Sequence, residues 1–349
     1  MFHLILTACL TQNAGACGPV LLPAGEATDA PSCMAAAARI SANWLAAHPG
    51  LRGHGLTCTA TPPALPVTEI APGVFVHQGK VAQISAENRG RIANLGFILG
   101  ADSVAVIDAG TSRAQAQELY AAIRSITDKP ISHLILTHDH PDHMLGATLF
   151  AEAGTAVIGH PRLPDQIAAR GPVFLDNLTR ITGEAAMIGT TLPIVTPIPD
   201  SPFLLDLGDR RLELTAVPPA HTKADLILRD LPTGTLFTGD MIFRGLTPVV
   251  DGSINGWLGW MDDPPPAPAR IVPGHGNVAA NWHLAAQAQQ DFLTALRDAV
   301  RDQIAAGASL SAAVPAIGAQ LAPMADQWTA FDETVARDAT AAYAELEWE

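Results

Sequence analysis

The chain has 349 residues and a formal net charge of −14, from 34 acidic and 20 basic side chains. No run of lysine or arginine occurs, so the electrostatic footprint of a nucleic-acid-binding protein is missing and nucleic acid is not an expected partner. Apolar residues make up 48% of the chain, enough for a packed core. No stretch approaches the roughly 18 uninterrupted apolar residues that a membrane span requires.

Residues 1–60 are predicted to form a small domain of their own. A strand is expected over 2–10, then a Gly/Pro-rich loop, an Ala-rich helix near 31–48, a turn at 48–50 and a second strand ending at Cys58. Such a unit is too small to be held together by burial alone. The Pro-rich segment 61–66 is expected to be a stiff linker.

All four cysteines, Cys9, Cys17, Cys33 and Cys58, lie in this first domain. An even, clustered set indicates two disulfides, and the rival interpretation, a zinc site with four thiolates, lacks the usual close C-x2-C pairing. Four cysteines allow three pairings, among which the sequence does not choose. Our working expectation pairs Cys9 with Cys58 and Cys17 with Cys33.

Disulfides indicate an oxidising compartment, which favours the periplasm. The apolar run Phe2 to Leu10 and the Ala14-Gly15-Ala16 segment resemble an export signal, but the first basic side chain is Arg39, so the basic start of such a signal is absent. We therefore interpret 2–10 as a strand of the domain. A cytoplasmic location stays open for the same reason.

The pattern changes at about residue 67 to short strands bounded by turns, with helices between them. Strands are predicted at 70–77, 94–99, 103–107, 133–137, 156–159, 203–207, 211–216, 225–229 and 235–238. One helix is predicted at 112–126 and another from the end of the histidine cluster to residue 153. The segment from 159 to about 200 is expected to be irregular. This rhythm suits an α+β domain over 67–280, in which two sheets pack face to face with helices outside.

Beyond Asn281 the chain is predicted to be helical. Phe292, Leu296, Val300 and Ile304 recur at i, i+4 spacing and would share one helix face. We expect residues 281–349 to pack on the core as C-terminal helices.

A cluster of metal-ligand side chains follows the strand at 133–137: His138-Asp139-His140-Pro141-Asp142-His143. Two histidines two residues apart in extended backbone direct both imidazoles to one side and would share a metal. Asp142 and His143 begin the next helix and would bind a second ion close to the first. Surface or core histidines without a metal are the weaker interpretation because three further candidates, each after an apolar strand and beside a turn, follow downstream: His221, Asp240 and His275.

The order H-x-H-x-D-H, His, Asp, His resembles the metallo-β-lactamase superfamily over roughly residues 67–280. The resemblance implies an αββα sandwich with two zinc ions. It assigns the first zinc to His138, His140 and His221, the second zinc to Asp142, His143 and His275, and the bridging position to Asp240.

Asp108 lies at the end of a predicted strand, just before a helix. The resemblance implies a buried carboxylate behind the ligand histidines, where such a group orients imidazole rings. A helix-capping aspartate is the alternative.

The same resemblance implies hydrolysis of an ester, thioester, lactone or amide bond in a small molecule by a metal-bridged hydroxide, with Asp142 and Asp240 as the catalytic carboxylates. Iron and manganese accept the same ligands as zinc, so an iron-dependent persulfide dioxygenase stays open as an alternative. A further alternative is a non-catalytic metal-binding component of a redox relay. The presence of all seven ligand residues argues against it.

The whole-chain organisation also resembles the quinoprotein relay system zinc metallohydrolases of the second type, bacterial proteins associated with periplasmic quinoprotein dehydrogenases. The segments that carry this resemblance are 2–10, 44–50 and 255–260. Substrate-binding residues are not assigned. Specificity is expected in loops 159–202, 221–225 and 241–260, where Lys223, Trp257 and Trp260 are candidates, with a solvated lysine and core tryptophans as the alternatives.

Overall fold

A computed structural model describes all 349 residues. The N-terminal unit is an antiparallel sheet of order β2-β1-β3 with one helix packed on it. Its elements are β1 (Phe2–Leu10), β2 (Cys17–Ala27), α1 (Ala30–Ala47) and β3 (Leu51–Thr59). The expected Gly/Pro-rich loop is therefore largely a strand. Pro19 and Pro23 made this strand difficult to predict from the sequence. An edge strand such as β2 tolerates proline where the missing backbone N–H would point away from the sheet.

The expected disulfide pairing was wrong. The bonds join Cys9 to Cys17 and Cys33 to Cys58. Cys9 and Cys17 are direct cross-strand partners in the β1–β2 pair, a neighbour relation that depends on the strand that the sequence did not reveal. The second bond ties α1 to β3.

The first sheet of the core has seven strands in the order β10-β9-β8-β7-β6-β5-β4. They are β4 (Thr68–Ala71), β5 (Val74–His77), β6 (Leu95–Leu99), β7 (Val104–Ile107), β8 (Ile131–Leu136), β9 (Ala156–Gly159) and β10 (Thr196–Pro197). The single strand expected at 70–77 is thus a tight hairpin that turns at Gly73, whose φ of 69° favours glycine.

The second sheet has five strands in chain order. They are β11 (Phe203–Asp206), β12 (Arg211–Ala216), β13 (Leu226–Asp230), β14 (Thr235–Phe243) and β15 (Arg270–His275). An apolar cluster of 17 buried residues fills the space between the two sheets, with Ile107 and Ile135 from the first and Leu214 and Phe237 from the second.

Helices cover the outer face of each sheet. Those near the first sheet are α2 (Arg113–Ile126), α3 (Pro141–Met144), α4 (Ala147–Glu152) and α5 (Leu163–Thr182). Those on the second are α6 (Ile254–Asp262), α7 (Trp282–Ala305), α8 (Leu310–Leu321) and α9 (Phe331–Leu346). The layers are therefore helix, sheet, sheet, helix, which confirms the predicted α+β αββα fold. None of the helices is long and apolar enough to cross a membrane.

Two helices occupy segments that were expected to be irregular or loop. Most of α5 lies in the segment 159–200, where Pro164, Gly171 and Pro172 mask its periodicity. Pro164 lies in the first turn, where a missing N–H costs nothing, but Pro172 is internal. Most of helix α6 lies in the expected loop 241–260; the helix begins after a Ser253 cap and buries Trp257 and Leu258.

Both terminal parts contact the core. Arg113 of α2, fully buried, binds Glu152 at 2.6 Å and the backbone carbonyl of Leu21 in β2. Trp44 of α1 donates to the same Glu152 carboxylate. At the other end, Glu345 of α9 accepts from the backbone N–H of Ile254.

Candidate metal centre

The histidine cluster lies where β8 ends and α3 begins. His138 and His140 are in the connecting loop, and Asp142 and His143 are in the first turn of α3. Pro141 at the helix start suits that position because its fixed φ is preorganised for a helix. The four residues are buried, with exposed fractions of 9% or less.

The downstream candidates come from the second sheet. His221 lies between β12 and β13, Asp240 is in β14, and His275 ends β15. Because β14 and β15 are parallel neighbours, Asp240 and His275 reach the same end of the sheet. Gly274 permits this approach: a Cβ there would lie 1.8 Å from Oδ1 of Asp240.

The structure brings all seven predicted side chains together in two groups. Ligand atoms within each group lie within 4.8 Å of one another; the groups are His138, His140, His221 and Asp240, and Asp142, His143 and His275. Asp240 faces both. Its Oδ2 lies 3.5 Å from Nε2 of His221, and its Oδ1 lies 3.1 Å from Nε2 of His143.

The histidines are held from behind by their outer ring nitrogens. Nδ1 of His221 lies 2.7 Å from the Val249 carbonyl, and Nδ1 of His275 lies 3.0 Å from the Ile92 carbonyl. The inward atoms His138 Nε2, His143 Nε2 and Asp240 Oδ1 are buried and none makes a hydrogen bond of good geometry, although the last two lie 3.1 Å apart. A closed cluster of five imidazoles and two carboxylates, in which three buried inward atoms make no hydrogen bond, fits divalent metal ions, and zinc in particular.

The first group favours neutral imidazoles. Burial lowers the pKa of His221 to about 3 and holds the pKa of His138 well below its usual value. A neutral imidazole is the form that binds a metal, so no proton has to be displaced from these two rings at neutral pH.

The second group carries the opposite balance. Burial lowers the pKa of His143, but the carboxylates of Asp240, Asp142 and Asp108 outweigh it and raise that pKa well above its usual value. Burial raises the pKa of Asp240, but His275 and His143 reverse this and hold it well below its ordinary range. The carboxylates around His143 thus favour a positive charge between them. A bound metal cation can provide that charge when the imidazole releases its proton.

Residues 88–277, more than half of the chain, match the sequence model of the metallo-beta-lactamase superfamily. The chain belongs to this superfamily. Its members bind a dinuclear metal site, which agrees with the two ligand groups.

Individual relatives share this core. A linear primary-alkylsulfatase from Pseudomonas sp. (strain ATCC 19151) is 28% identical over 134 residues, which are 38% of this chain and 24% of the relative. This chain therefore spans about a quarter of that curated relative.

Solved structures of the superfamily share the fold. The inverting sec-alkylsulfatase Pisa1 from Pseudomonas sp. has a TM-score of 0.58 at 16% identity, covering 81% of this chain and 50% of its own. A metallo-beta-lactamase from Pontibacter korlensis has a TM-score of 0.50 at 18% identity, covering 66% of this chain and 95% of its own.

Within this superfamily fold, Asp108 lies behind the ligands. Its carboxylate accepts from Nδ1 of His143 at 2.7 Å and from the backbone N–H and hydroxyl of Thr137 at 2.8 Å each. The Thr137 hydroxyl in turn lies 3.0 Å from Nδ1 of His138. One carboxylate thus orients two predicted ligands. The helix-cap alternative does not describe Asp108, because Ser112 caps α2.

A second network behind the ligands was missed by the sequence analysis. Asp251 accepts from Nε2 of His140 at 2.9 Å and also binds Arg170 of α5. Arg170 reaches Asp139 at 3.2 Å. Burial raises the pKa of Asp251, but the His140 hydrogen bond and Arg170 lower it further than burial raises it. No local signal marks Asp251 or Arg170, since they lie far from His140 in the chain.

A cavity of about 170 Å³ opens onto the ligands. Four ligand candidates line it, His140, Asp142, Asp240 and His275, and its other walls are mainly apolar: Ile84, Ile92, Phe174, Phe243, Leu246 and Val249. Two of the three loops expected to set specificity contribute to it, 159–202 and 241–260. The segment 83–92 and Arg337 of α9 were not expected there.

The side chains suggested as substrate contacts do not line this cavity. Lys223 is exposed to solvent. Trp257 is fully buried in the core with its ring 5.3 Å from that of His221, and Trp260 packs on Trp282. His160, which follows β9, is buried, accepts a hydrogen bond from the backbone N–H of Arg162 and is likewise absent from the cavity wall.

Proposed function

We propose that the protein is a dinuclear zinc hydrolase that cleaves an ester, thioester, lactone or amide bond of a small molecule. The observation that carries this proposal is the pair of ligand groups around Asp240, with buried, unpaired donor atoms in both. His138, His140 and His221 would hold one ion, and Asp142, His143 and His275 the other, with Asp240 between them.

Zinc ions bound there would supply Lewis acidity and lower the pKa of water toward neutrality. The chain itself contributes position and environment. Asp142 lies at the base of the cavity and can orient the attacking water and accept its proton. Asp108 and Asp251 hold the histidines in place. Phe174 and Phe243 in the cavity wall limit the access of bulk water.

A second candidate reaction is hydrolysis of alkyl sulfate esters. It is favoured by the sequence match to a linear primary-alkylsulfatase and by a sec-alkylsulfatase structure that covers 81% of this chain. The iron-dependent persulfide dioxygenase reaction uses the same kinds of ligand and is the remaining alternative.

We further propose a periplasmic location and an association with a quinoprotein system. The two disulfides support an oxidising compartment. The association itself depends on the resemblance of the segments 2–10, 44–50 and 255–260.

The test is metal analysis together with a substrate panel. Zinc-replete protein should hold two zinc ions per chain and hydrolyse at least one member of a panel of thioesters, lactones, β-lactams, alkyl sulfates and phosphodiesters. Iron-loaded protein is tested separately with glutathione persulfide, to detect the persulfide dioxygenase reaction. Less than one bound ion per chain would overturn the dinuclear assignment.

Replacing Asp240 by alanine should abolish turnover and reduce the metal content, since the carboxylate faces both groups. Asp128→Ala, at an exposed position just after the end of α2, is the matched control and should keep both. Wild-type turnover in Asp240→Ala would refute the bridging role.

A further inference from the structure

We propose that Arg337 selects substrates that carry an anionic group, a carboxylate or a sulfate, in addition to the bond that is cleaved. This inference rests on the proposed hydrolase function and deepens it. Arg337 lines the cavity onto which Asp142, Asp240 and His275 open, and it is the one lysine or arginine among the lining residues. Arg337, which is also exposed to solvent, is thus the one cationic side chain that this cavity offers to a substrate.

The guanidinium of Arg337 is free to bind a ligand. It makes no hydrogen bond to another side chain or to the backbone, and no carboxylate lies within ion-pair distance of it, although Glu333 is one helical turn earlier. Arg170, in contrast, is occupied by Asp139 and Asp251. An unpaired guanidinium offers a planar fork of donors that matches the oxygens of a carboxylate or sulfate.

The backbone of α9 is fixed beside the cavity. The Thr329 carbonyl, just before the helix, accepts from the Thr247 hydroxyl at 2.8 Å. Asp338, next to Arg337, accepts from the backbone N–H of Val250 at 2.9 Å. Thr247 is itself a cavity residue. The helix and the loop that lines the cavity are thus held together on both sides of Arg337, so the backbone that carries this side chain is fixed at the cavity.

The remaining wall indicates what the rest of the substrate is. Ile84, Ile92, Phe174, Leu246 and Val249 are apolar, so the cavity suits a short hydrocarbon segment. The Gln83 amide at the rim is engaged with the Thr334 hydroxyl at 3.2 Å. A compact amphiphilic anion, apolar near the cleaved bond and charged at one end, matches this arrangement.

The experiment uses thioesters that differ only in charge. The first pair is S-hexanoyl-3-mercaptopropionate and S-hexanoyl-3-mercaptopropionamide, which differ in the charge of the thiol part. The second pair is the monothioester of adipate and the same thioester with its free carboxylate replaced by an amide, which differ in the charge of the acyl part. In wild type the charged member of at least one pair should have the lower KM. Arg337→Gln should raise that KM roughly 10- to 100-fold, leave kcat within a few-fold and leave the uncharged substrate unchanged. Arg337→Lys should be intermediate because it keeps the charge and loses the fork.

Arg39→Gln is the matched control. Arg39 is an exposed arginine of α1 that does not line the metal cavity, and its replacement makes the same change in net charge. It should leave every KM unchanged. An equal effect of Arg337→Gln on charged and uncharged members of both pairs would overturn the proposal.

A binding arm separates this proposal from the hydrolase proposal. Calorimetry with zinc-loaded protein compares 3-mercaptopropionate with 3-mercaptopropionamide, and hexyl sulfate with hexanoate, the second pair deciding between sulfate and carboxylate. Preferential binding of the anionic thiol, lost in Arg337→Gln and kept in Arg39→Gln, supports the role of Arg337 even if no thioester is cleaved. Equal binding of thiol acid and thiol amide by wild type contradicts it, whatever the turnover.

Discussion

Each of the predicted ligand histidines is held by a partner behind it, and these partners decide which ring nitrogen faces the cluster. For His140, the Nε2 atom is engaged by Asp251, so Nδ1 faces inward, 3.0 Å from Nε2 of His221. For His143, Asp108 binds the Nδ1 atom, so Nε2 faces the cluster. The backbone carbonyls of Val249 and Ile92 bind Nδ1 of His221 and of His275, so the Nε2 atoms of these two rings also face the cluster.

Replacing Asp251 by alanine should weaken metal binding about 10- to 100-fold, since His140 loses the group that fixes its tautomer and orientation. Competition with a chromophoric chelator measures this loss, and the fold is monitored by circular dichroism. The exposed Asp128→Ala again serves as control. Unchanged metal affinity in Asp251→Ala would show that the carboxylate serves only Arg170.

Asp338 connects α9 to the cavity loop at a cost that depends on pH. It is fully buried, its Oδ2 has no hydrogen-bond partner, and burial raises its pKa well above the ordinary value, with Asp251 adding to the effect and the Val250 N–H and Arg337 opposing it. At low pH the carboxyl is protonated in both the folded and the unfolded chain. As pH rises above the unfolded pKa of about 3.9, only the unfolded chain releases the proton, so this group makes folding less favourable.

Asp338→Asn should therefore be more stable than wild type at neutral pH, because asparagine keeps the acceptor for Val250 and carries no charge. The difference should widen by about 1.4 kcal/mol for each pH unit between the unfolded and folded pKa values. Urea unfolding of both proteins from pH 4 to pH 8 measures it, with the exposed Asp326→Asn as control. A difference that does not vary with pH would refute the raised pKa.

Among the elements, the parallel pair β14–β15 is critical for the centre, because it delivers Asp240 and His275 side by side. Its register is irregular between Phe237 and Phe243, where the strands pass the metal ligands. Gly274 lies at this irregularity, and a methyl group there would also meet the Gly239 carbonyl carbon at 2.8 Å.

Gly274→Ala should thus displace Asp240 and lower the metal content below two ions per chain, with loss of activity. Gly318→Ala, in α8, is the matched control because nothing lies within 4 Å of its added Cβ. That control should keep the metal and gain up to about 1 kcal/mol of stability, since alanine is the better helix former. Full metal content in Gly274→Ala would mean that the strands can move apart without cost.

For the whole molecule, the disulfides of the N-terminal unit constrain the chain ahead of the two-sheet core. Free-thiol titration of the denatured protein should detect no thiol before reduction and four after it. The bond Cys33–Cys58 spans 25 residues and the bond Cys9–Cys17 spans 8. In the chain-entropy account, the longer loop stabilises by about 3.5 kcal/mol and the shorter by about 2.5 kcal/mol.

Replacing Cys33 and Cys58 together by alanine should consequently destabilise the N-terminal unit more than replacing Cys9 and Cys17. Denaturant unfolding followed by the fluorescence of Trp44, which is in α1, measures both double variants. The reverse order of stability would show that packing around the cysteines outweighs loop length.

The sequence by itself determined the superfamily, the layered fold and the candidate ligands. This was possible because His138, His140, Asp142 and His143 lie within six residues, and their mutual position is set by one strand end and one helix start. Strand alternation is also a local property, and it located most strands of both sheets. The assignment of each ligand to an ion stays a prediction.

The tertiary structure alone decided the features that depend on distant contacts. Asp251 lies 111 residues from His140, and Arg337 is further still from the histidine cluster, so no spacing in the sequence connects them to the centre. Helix α5 was hidden by its prolines, and the disulfide pairing followed from a strand that its prolines also hid. Substrate selection is of the same kind, because the cavity is assembled from six separate stretches of chain whose only relation is their packing in the folded state.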